Sequence, residues 1–160
     1  MRAIEYFHIG EPKLAAHELD AVLGDDASAQ SLNNACWELG LANVALERAL
    51  SYCNRAVTLE PGSAPSLDSK GLVLLRMNRL EESIRAYGAA LRIAPNLSPS
   101  LFGRALAAQA RCNCAAGGAD IKKALQLDPS QSRNFERAGL VLKFPPNIKP
   151  IERNRESSAS

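Results

Sequence analysis

Apolar residues recur along most of the chain at intervals of three and four, the spacing that places them on one face of an α-helix. The range 67–77 has one such face, and the range 80–93 has another. Asn78 and Arg79 lie between the two ranges as polar turn residues. The pattern therefore predicts two antiparallel helices joined by a short turn.

This helix pair is repeated, because the sequence aligns with itself when it is shifted by 34 residues. The aligned columns are Ala56/Ala90/Ala124, Val57/Leu91/Leu125, Leu59/Ile93/Leu127 and Pro61/Pro95/Pro129. Proline cannot continue a helix and disfavours helical geometry in the preceding residue, so each proline predicts the end of a second helix. A fixed period of this length is typical of stacked helical repeats. We expect repeats at 30–63, 64–97 and 98–131. Ser98 is expected to cap the first helix of the third repeat.

The two ends of the chain depart from this period. Residues 1–29 are expected to form a degenerate repeat, truncated at its N-terminus, with one helix at Pro12–Leu23. Its apolar edge would lack an upstream helix, so we expect either further sequence before it or pairing with another chain, and favour the first. The range 132–143 predicts a capping helix with Phe135 against the last repeat. Residues 144–160 are rich in Pro, Ser and charge and are predicted to be disordered.

The columns resemble those of the tetratricopeptide repeat, whose unit is a helix–turn–helix of about 34 residues. In the range 64–97 the matching residues are Leu67, Gly71, Leu74, Ser83, Tyr87, Ala90 and Pro95. The resemblance covers roughly residues 1–140. It implies an all-α fold, a right-handed solenoid of helical hairpins, with small residues where the helices of each unit cross. Those small residues are Ala49, Ser83, Gly117, Ala56, Ala90 and Ala124.

Two positions in the first complete repeat depart from the pattern. Trp37 takes the column of Gly71 and Ala105, whereas Gly40 takes the column of Leu74. Protein cores tolerate substitutions that conserve volume better than net gains. We therefore expect Trp37 to fill the space left beside Gly40.

The resemblance also implies a binding surface. Helical repeats stack into curved arrays whose concave side binds extended ligands, and in this family the first helix of each unit lines that groove. The residues predicted to line it are Asn34, Glu38, Asp68, Ser69, Leu72, Arg76, Phe102, Leu106 and Gln109. Exposed Leu and Phe side chains there would anchor a peptide or helix of a protein partner. We expect a non-catalytic protein–protein interaction scaffold. The alternative is an accessory repeat segment of a larger enzyme or cell-envelope protein, whose catalytic or targeting part lies upstream.

Composition and charge exclude several other functions. The formal net charge is +2, and this excess lies in the range 143–160 rather than on a basic face, so we do not expect nucleic-acid binding. No apolar run is long enough for a membrane span. Nucleotide-binding, hydrolase and zinc-protease motifs are absent, so we predict no catalytic residue, metal or cofactor. The start of the chain does not resemble a signal peptide, which favours the cytoplasm. The periplasm or secretion is expected if a signal peptide lies upstream.

The sequence has four cysteines, Cys36, Cys53, Cys112 and Cys114. They are too few for a small secreted fold held by disulfides, and they lack the spacing and histidines of a zinc site. We interpret them as small apolar side chains packed between helices. Whether Cys36 and Cys53 are free thiols stays open.

Overall fold

The computed structural model of the chain describes residues 5–6, 9–111 and 114–141. The main helices of this part are α1 (Pro12–Val22), α2 (Ala29–Ala42), α3 (Leu46–Leu59), α4 (Ala64–Arg76), α5 (Leu80–Ile93), α6 (Ser98–Ala110), α7 (Cys114–Leu127) and α8 (Gln131–Arg137). The same residues include no strand. Helices α2/α3, α4/α5 and α6/α7 pack as hairpins, and the hairpins pack on one another in chain order. The predicted all-α solenoid is confirmed. The predicted disorder of residues 144–160 lies outside the described residues.

The second helices of the hairpins share one register. Helices α3, α5 and α7 begin 34 residues apart, and each ends two residues before a proline. The prolines account for this ending, because they lack the amide hydrogen that the next helical turn would need. Each hairpin therefore presents the same face to its neighbour.

The first helices begin in two different ways. Ser28 and Ser63 cap α2 and α4, each accepting a hydrogen bond from the backbone amide three residues later. Ser98 does not cap α6 as predicted, because it is already the first helical residue. Its buried hydroxyl donates to the backbone carbonyl of Ala124 at 3.0 Å. This hydrogen bond holds the beginning of α6 against α7.

The two helices of each hairpin cross closely at the predicted small residues. The hydroxyl of Ser83 on α5 donates to the backbone carbonyl of Gly71 on α4 at 2.8 Å. On α7, a Cβ added to Gly117 would lie 3.1 Å from the carbonyl oxygen of Ala105. Ala90, which lies on α5 in the second column of small residues, is fully buried. The prediction of small crossing residues is confirmed, since larger side chains would separate these backbones.

The ring of Tyr87 fills the space between α4 and α6. It lies so close to Gly71 and Gly103 that a Cβ on either glycine would overlap the ring. The Tyr87 hydroxyl is buried and has no hydrogen-bond partner among the described residues. Both glycines are therefore required by the close approach of the ring.

Trp37 does not fill the space beside Gly40, so that prediction was wrong. A Cβ at Gly40 would meet Cγ2 of Val73 at 2.9 Å and Cδ2 of Leu72 at 3.4 Å, so α4 supplies the missing volume. Trp37 is instead half-buried at the surface of α2. Because residue 40 is glycine, α4 of the next hairpin can pack closely against α2. This contact between hairpins could not be inferred from the residues of α2 alone.

Cys36 on α2 and Cys53 on α3 form a disulfide, with their Cα atoms 5.4 Å apart. Both side chains are fully buried, as expected for packed cysteines. The interpretation of this pair as apolar thiols is corrected, because the antiparallel hairpin brings together two residues that are 17 apart in sequence. The bond joins the two helices of the first complete hairpin.

Within the described ranges, the apolar core forms two clusters. One lies around α1 to α3 and the adjoining parts of α4 and α5, and includes Leu32, Leu39 and Leu74. The other lies around α6 to α8, and includes Phe102 and Phe135. Each cluster joins consecutive hairpins, so the hairpins depend on one another for burial.

Gly103→Ala is expected to lower the free energy of unfolding by about 1–3 kcal/mol, because the added methyl overlaps the Tyr87 ring. Gly88→Ala is the matched control, since Gly88 lies inside α5 with open space around its Cα. Alanine there should stabilise the fold by roughly 0.5–1 kcal/mol. Urea denaturation measures both variants, and equal effects would contradict the placement of Tyr87.

Reduction of the Cys36–Cys53 disulfide is expected to lower the free energy of unfolding by about 3 kcal/mol, because the unfolded chain regains the freedom of a short closed loop. Urea denaturation of the oxidised and reduced protein gives this difference. Thiol titration in denaturant, before and after reduction, should differ by these two cysteines. Identical thiol counts would show that the bond is absent.

Candidate functional site

Helix α8 packs on α6 and α7. The ring of Phe135 on α8 contacts the ring of Phe102 on α6, with centroids 4.9 Å apart and planes tilted by 43°. Both side chains are buried. Tilted aromatic pairs at this separation are favourable beyond their area of burial. The aromatic pair therefore fixes α8 on the side of the solenoid that the first helices form.

Arg76, at the end of α4, joins the turn after α8 to the end of α2. Its guanidinium donates to the backbone carbonyls of Gly40 and Leu41, each at 3.2 Å, and to the carbonyl of Ala138. The last carbonyls of a helix lack partners within the helix, and a cation is favourable beside them. Partial burial lowers the pKa of the Arg76 guanidinium below its usual value. One side chain thus connects three helix ends.

A depression of about 260 Å³ lies between α8 and the first helices. Its lining residues on α2, α4 and α6 are Trp37, Leu41, Leu72 and Pro99, and those on α8 and the following turn are Gln131, Asn134, Phe135, Arg137, Ala138 and Leu140. We use the term first-helix groove for the surface formed by Trp37, Leu41, Leu72, Arg76, Pro99 and Phe102. Helix α8 and its following turn occupy this groove.

The nine predicted groove residues lie in three different environments. The buried ones are Asp68, Ser69, Leu72, Phe102 and Leu106, the half-buried ones are Arg76 and Gln109, and the exposed ones are Asn34 and Glu38. The expectation that Leu72, Phe102 and Leu106 are exposed was wrong. Phe102 and Leu106 share an apolar cluster with Phe135 of α8, and Leu72 packs beside α2. The structure brings Leu72, Arg76 and Phe102 together in the first-helix groove.

Sequence reasoning missed two residues of the groove, Trp37 and Pro99. The sequence did contain one indication, because a tryptophan in a column of small residues needs space that the repeat does not provide. The expectation that Trp37 fills the space beside Gly40 on the same helix did not use this indication correctly. Phe135 was expected to pack on the last repeat, and its contact with Phe102 agrees with that expectation.

Asp68 is a buried carboxyl between α4 and α6. Its Oδ1 accepts a hydrogen bond from the hydroxyl of Ser100 on α6 at 2.5 Å. Burial raises the pKa of Asp68 from 3.8 to about 6, and the bond from Ser100 opposes this shift in part. Burial, and then the charge of Asp68, raise the pKa of Tyr87 well above its usual value. The contact between α4 and α6 therefore contains a group that titrates near neutral pH.

The groove provides an aromatic ring at Phe102, which contacts an aromatic side chain, and a guanidinium at Arg76, which donates to a backbone carbonyl. Both groups are suited to contact with a polypeptide segment. In the part of the chain that the structure describes, no cluster of three or more His, Cys, Asp and Glu side chains could hold a metal ion. None of the helices in that part has the length and apolar character needed to cross a membrane.

Comparison with known proteins gives one family match and several similar structures. Residues 64–97 match the family model described as a tetratricopeptide repeat. A search of curated protein sequences found no significant match. A crystal structure of MamA is 25% identical over 82% of this chain and 77% of its own, with a TM-score of 0.60. A second MamA structure is 25% identical over 82% of this chain and 72% of its own, with a TM-score of 0.58.

MamA from Desulfovibrio magneticus RS-1, from its residue 41 to its end, has the same fold at lower identity. It is 20% identical, covers 86% of this chain and 77% of its own, and has a TM-score of 0.61. The likeness of all three structures extends over most of the helical array rather than one hairpin.

The free energy of unfolding is expected to fall as the pH rises through about 6. The folded chain holds the Asp68 proton more tightly than the unfolded chain, since burial raises the pKa from 3.8 to about 6. The stabilisation from the protonated carboxyl is therefore fully present below pH 3.8 and is lost above about 6. The loss is on the order of 2–3 kcal/mol.

Asp68→Asn should remove this part of the pH dependence, because the amide stays uncharged. Asp26→Asn is the control, since Asp26 is an exposed loop residue. Urea denaturation at several pH values between about 3.5 and 7, which span the loss, compares the three proteins. A wild-type profile parallel to that of Asp68→Asn would contradict the buried carboxyl.

Proposed function

Because the chain is a solenoid of tetratricopeptide-type repeats, we propose that it is a non-catalytic scaffold that binds a helix or peptide of a partner protein in the first-helix groove. The observation that carries the proposal is that this groove already holds a helical segment, α8. A helical segment of another protein with similar side chains would make the same contacts with the groove.

The composition of the groove supports a helical ligand. Trp37, Leu41, Leu72 and Pro99 provide apolar surface, while Arg76 provides hydrogen-bond donors for carbonyl oxygens. Grooves that bind amphipathic helices combine such an apolar floor with a few polar contacts that set orientation. The energy of binding would come mostly from the aromatic contacts, because a small number of buried aromatic anchors dominates such interfaces.

Helical peptides selected from a displayed library against the full chain are expected to carry an aromatic residue. The Trp37→Ala variant should bind them about tenfold more weakly, since it removes a large apolar side chain from the groove. Arg92→Ala is the control, because Arg92 is exposed on α5. Fluorescence anisotropy with labelled peptides measures all three affinities.

Trp37 also reports binding directly, because it is the only tryptophan of the sequence. Its emission should shift when a selected peptide binds. Peptides that bind without shifting the emission of Trp37, and whose affinity is unchanged by Trp37→Ala, would place binding elsewhere. That result would remove the groove from the proposal.

A further inference from the structure

The helix in the first-helix groove belongs to the chain itself. We propose that α8 is an autoinhibitory ligand in cis, displaced by a partner helix that carries an aromatic anchor and, one turn later, a larger apolar side chain. This inference rests on the proposed function, since it describes how access to the same groove is regulated. Three features of α8 support it, namely its spacing of contacts, its C-terminal turn and its incomplete fit.

The groove contacts of α8 have the spacing of a bound amphipathic helix. Among the residues of α8 and its turn that line the depression, Gln131, Asn134, Phe135 and Ala138 lie at positions i, i+3, i+4 and i+7, and Arg137 and Leu140 also line it. This spacing is typical of helices that bind in grooves of other proteins. Arg133, between them, is exposed. An isolated helix of 7 residues is unstable in water, so α8 depends on the groove for its helical state.

The C-terminal turn of α8 presents a carbonyl to Arg76. Gly139, with a φ of +73°, donates its amide to the carbonyl of Glu136, and the amide of Leu140 donates to the carbonyl of Phe135 at 2.8 Å. This pair of bonds is the Schellman motif, in which an apolar residue folds back on the last turn. The motif leaves the carbonyl of Ala138 available, and the Arg76 guanidinium donates to it.

The fit of α8 in the groove is incomplete. The depression of about 260 Å³ separates its C-terminal end from α2 and α4, and Ala138 is the small side chain on that side. Trp37 is only half-buried there. Burial of apolar surface on binding is favourable, so a partner helix with leucine in place of Ala138 would bind better than α8 does.

The short connection from α7 explains why a weakly fitting helix can still occupy the groove. Only Asp128, Pro129 and Ser130 separate α7 from α8, so the effective concentration of α8 is high. A ligand in trans binds only the fraction of chains in which α8 has left the groove. Its apparent dissociation constant is raised by the inverse of that fraction.

The test uses the full chain and a fluorescein-labelled synthetic peptide with the sequence of residues 128–141. Phe135→Ala in the chain removes the anchor of α8 but leaves Phe102 in place, so this variant should bind the peptide at least about tenfold more tightly than wild type. A peptide with leucine for Ala138 should bind more tightly still. A peptide with alanine for Phe135 should not bind. Arg133→Ala in the chain is the matched control and should behave as wild type.

Gly139→Val is a second way to weaken the binding of α8 in the first-helix groove. A Cβ added at Gly139 would have no described neighbour within 4 Å, and the positive φ strains any other residue, so the substitution disrupts the turn without changing the core. This variant should also bind the peptide more tightly than wild type. In both variants the emission of Trp37 should shift to longer wavelength while circular dichroism stays helical, and added peptide should reverse the shift.

The outcomes separate this inference from the proposed function. Equal peptide affinity in wild type, Phe135→Ala and Gly139→Val would show that the groove accepts a helix but that α8 does not compete, which overturns the inference alone. Absence of binding to all three folded chains would show that the groove takes no helix in trans, and the proposed function would fail with it. Tighter binding by both variants, lost when the peptide lacks Phe135, supports the inference.

Discussion

The close approach of helix backbones at small residues is the interaction on which this solenoid depends. Each hairpin has one apolar face, which is buried only when the next hairpin packs against it. Ser83 at Gly71, and Gly117 at Ala105, bring the two helices of a hairpin into contact. Between hairpins, the Tyr87 ring occupies space that exists only because two glycines face it. A side chain added at any of these positions separates backbones and loosens the array on both sides.

The contact between α4 and α6 includes a buried carboxyl. Asp68 and Ser100 meet there, and the Tyr87 hydroxyl is buried nearby without a hydrogen-bond partner among the described residues. A buried carboxyl is costly when it is charged, which is why its pKa rises. The two apolar clusters of the core adjoin this contact. Charge at Asp68 therefore bears on how firmly the middle and last hairpins pack.

The surface that packs against α8 is also the surface that we propose for recognition. Leu72 and Phe102 are buried by other parts of the chain, yet they belong to the face that a helical repeat array offers to ligands. Occupancy by α8 protects this apolar surface from water, and a partner helix would have to replace that protection. The balance between the two occupants depends on the aromatic contact at Phe102, on the carbonyl contact of Arg76 and on the short connection to α7.

The helices and their repetition were predictable from the sequence because their causes are local. The prolines end the second helices, the small residues follow the period of 34, and the range 80–93 is α5 as predicted. The environment of the site was not predictable, since burial depends on which segment returns to a surface from far along the chain. Arg76 and Ala138 are 62 residues apart, and Cys36 meets Cys53 only when the hairpin closes.

For this protein the sequence alone determined the hairpin unit and its period. Only the tertiary structure decided that Val73, not Trp37, packs beside Gly40, and that α8 lies over Phe102. The physical reason is that periodicity specifies which face of a helix is apolar, whereas the partner of that face is chosen by shape and volume across the whole fold.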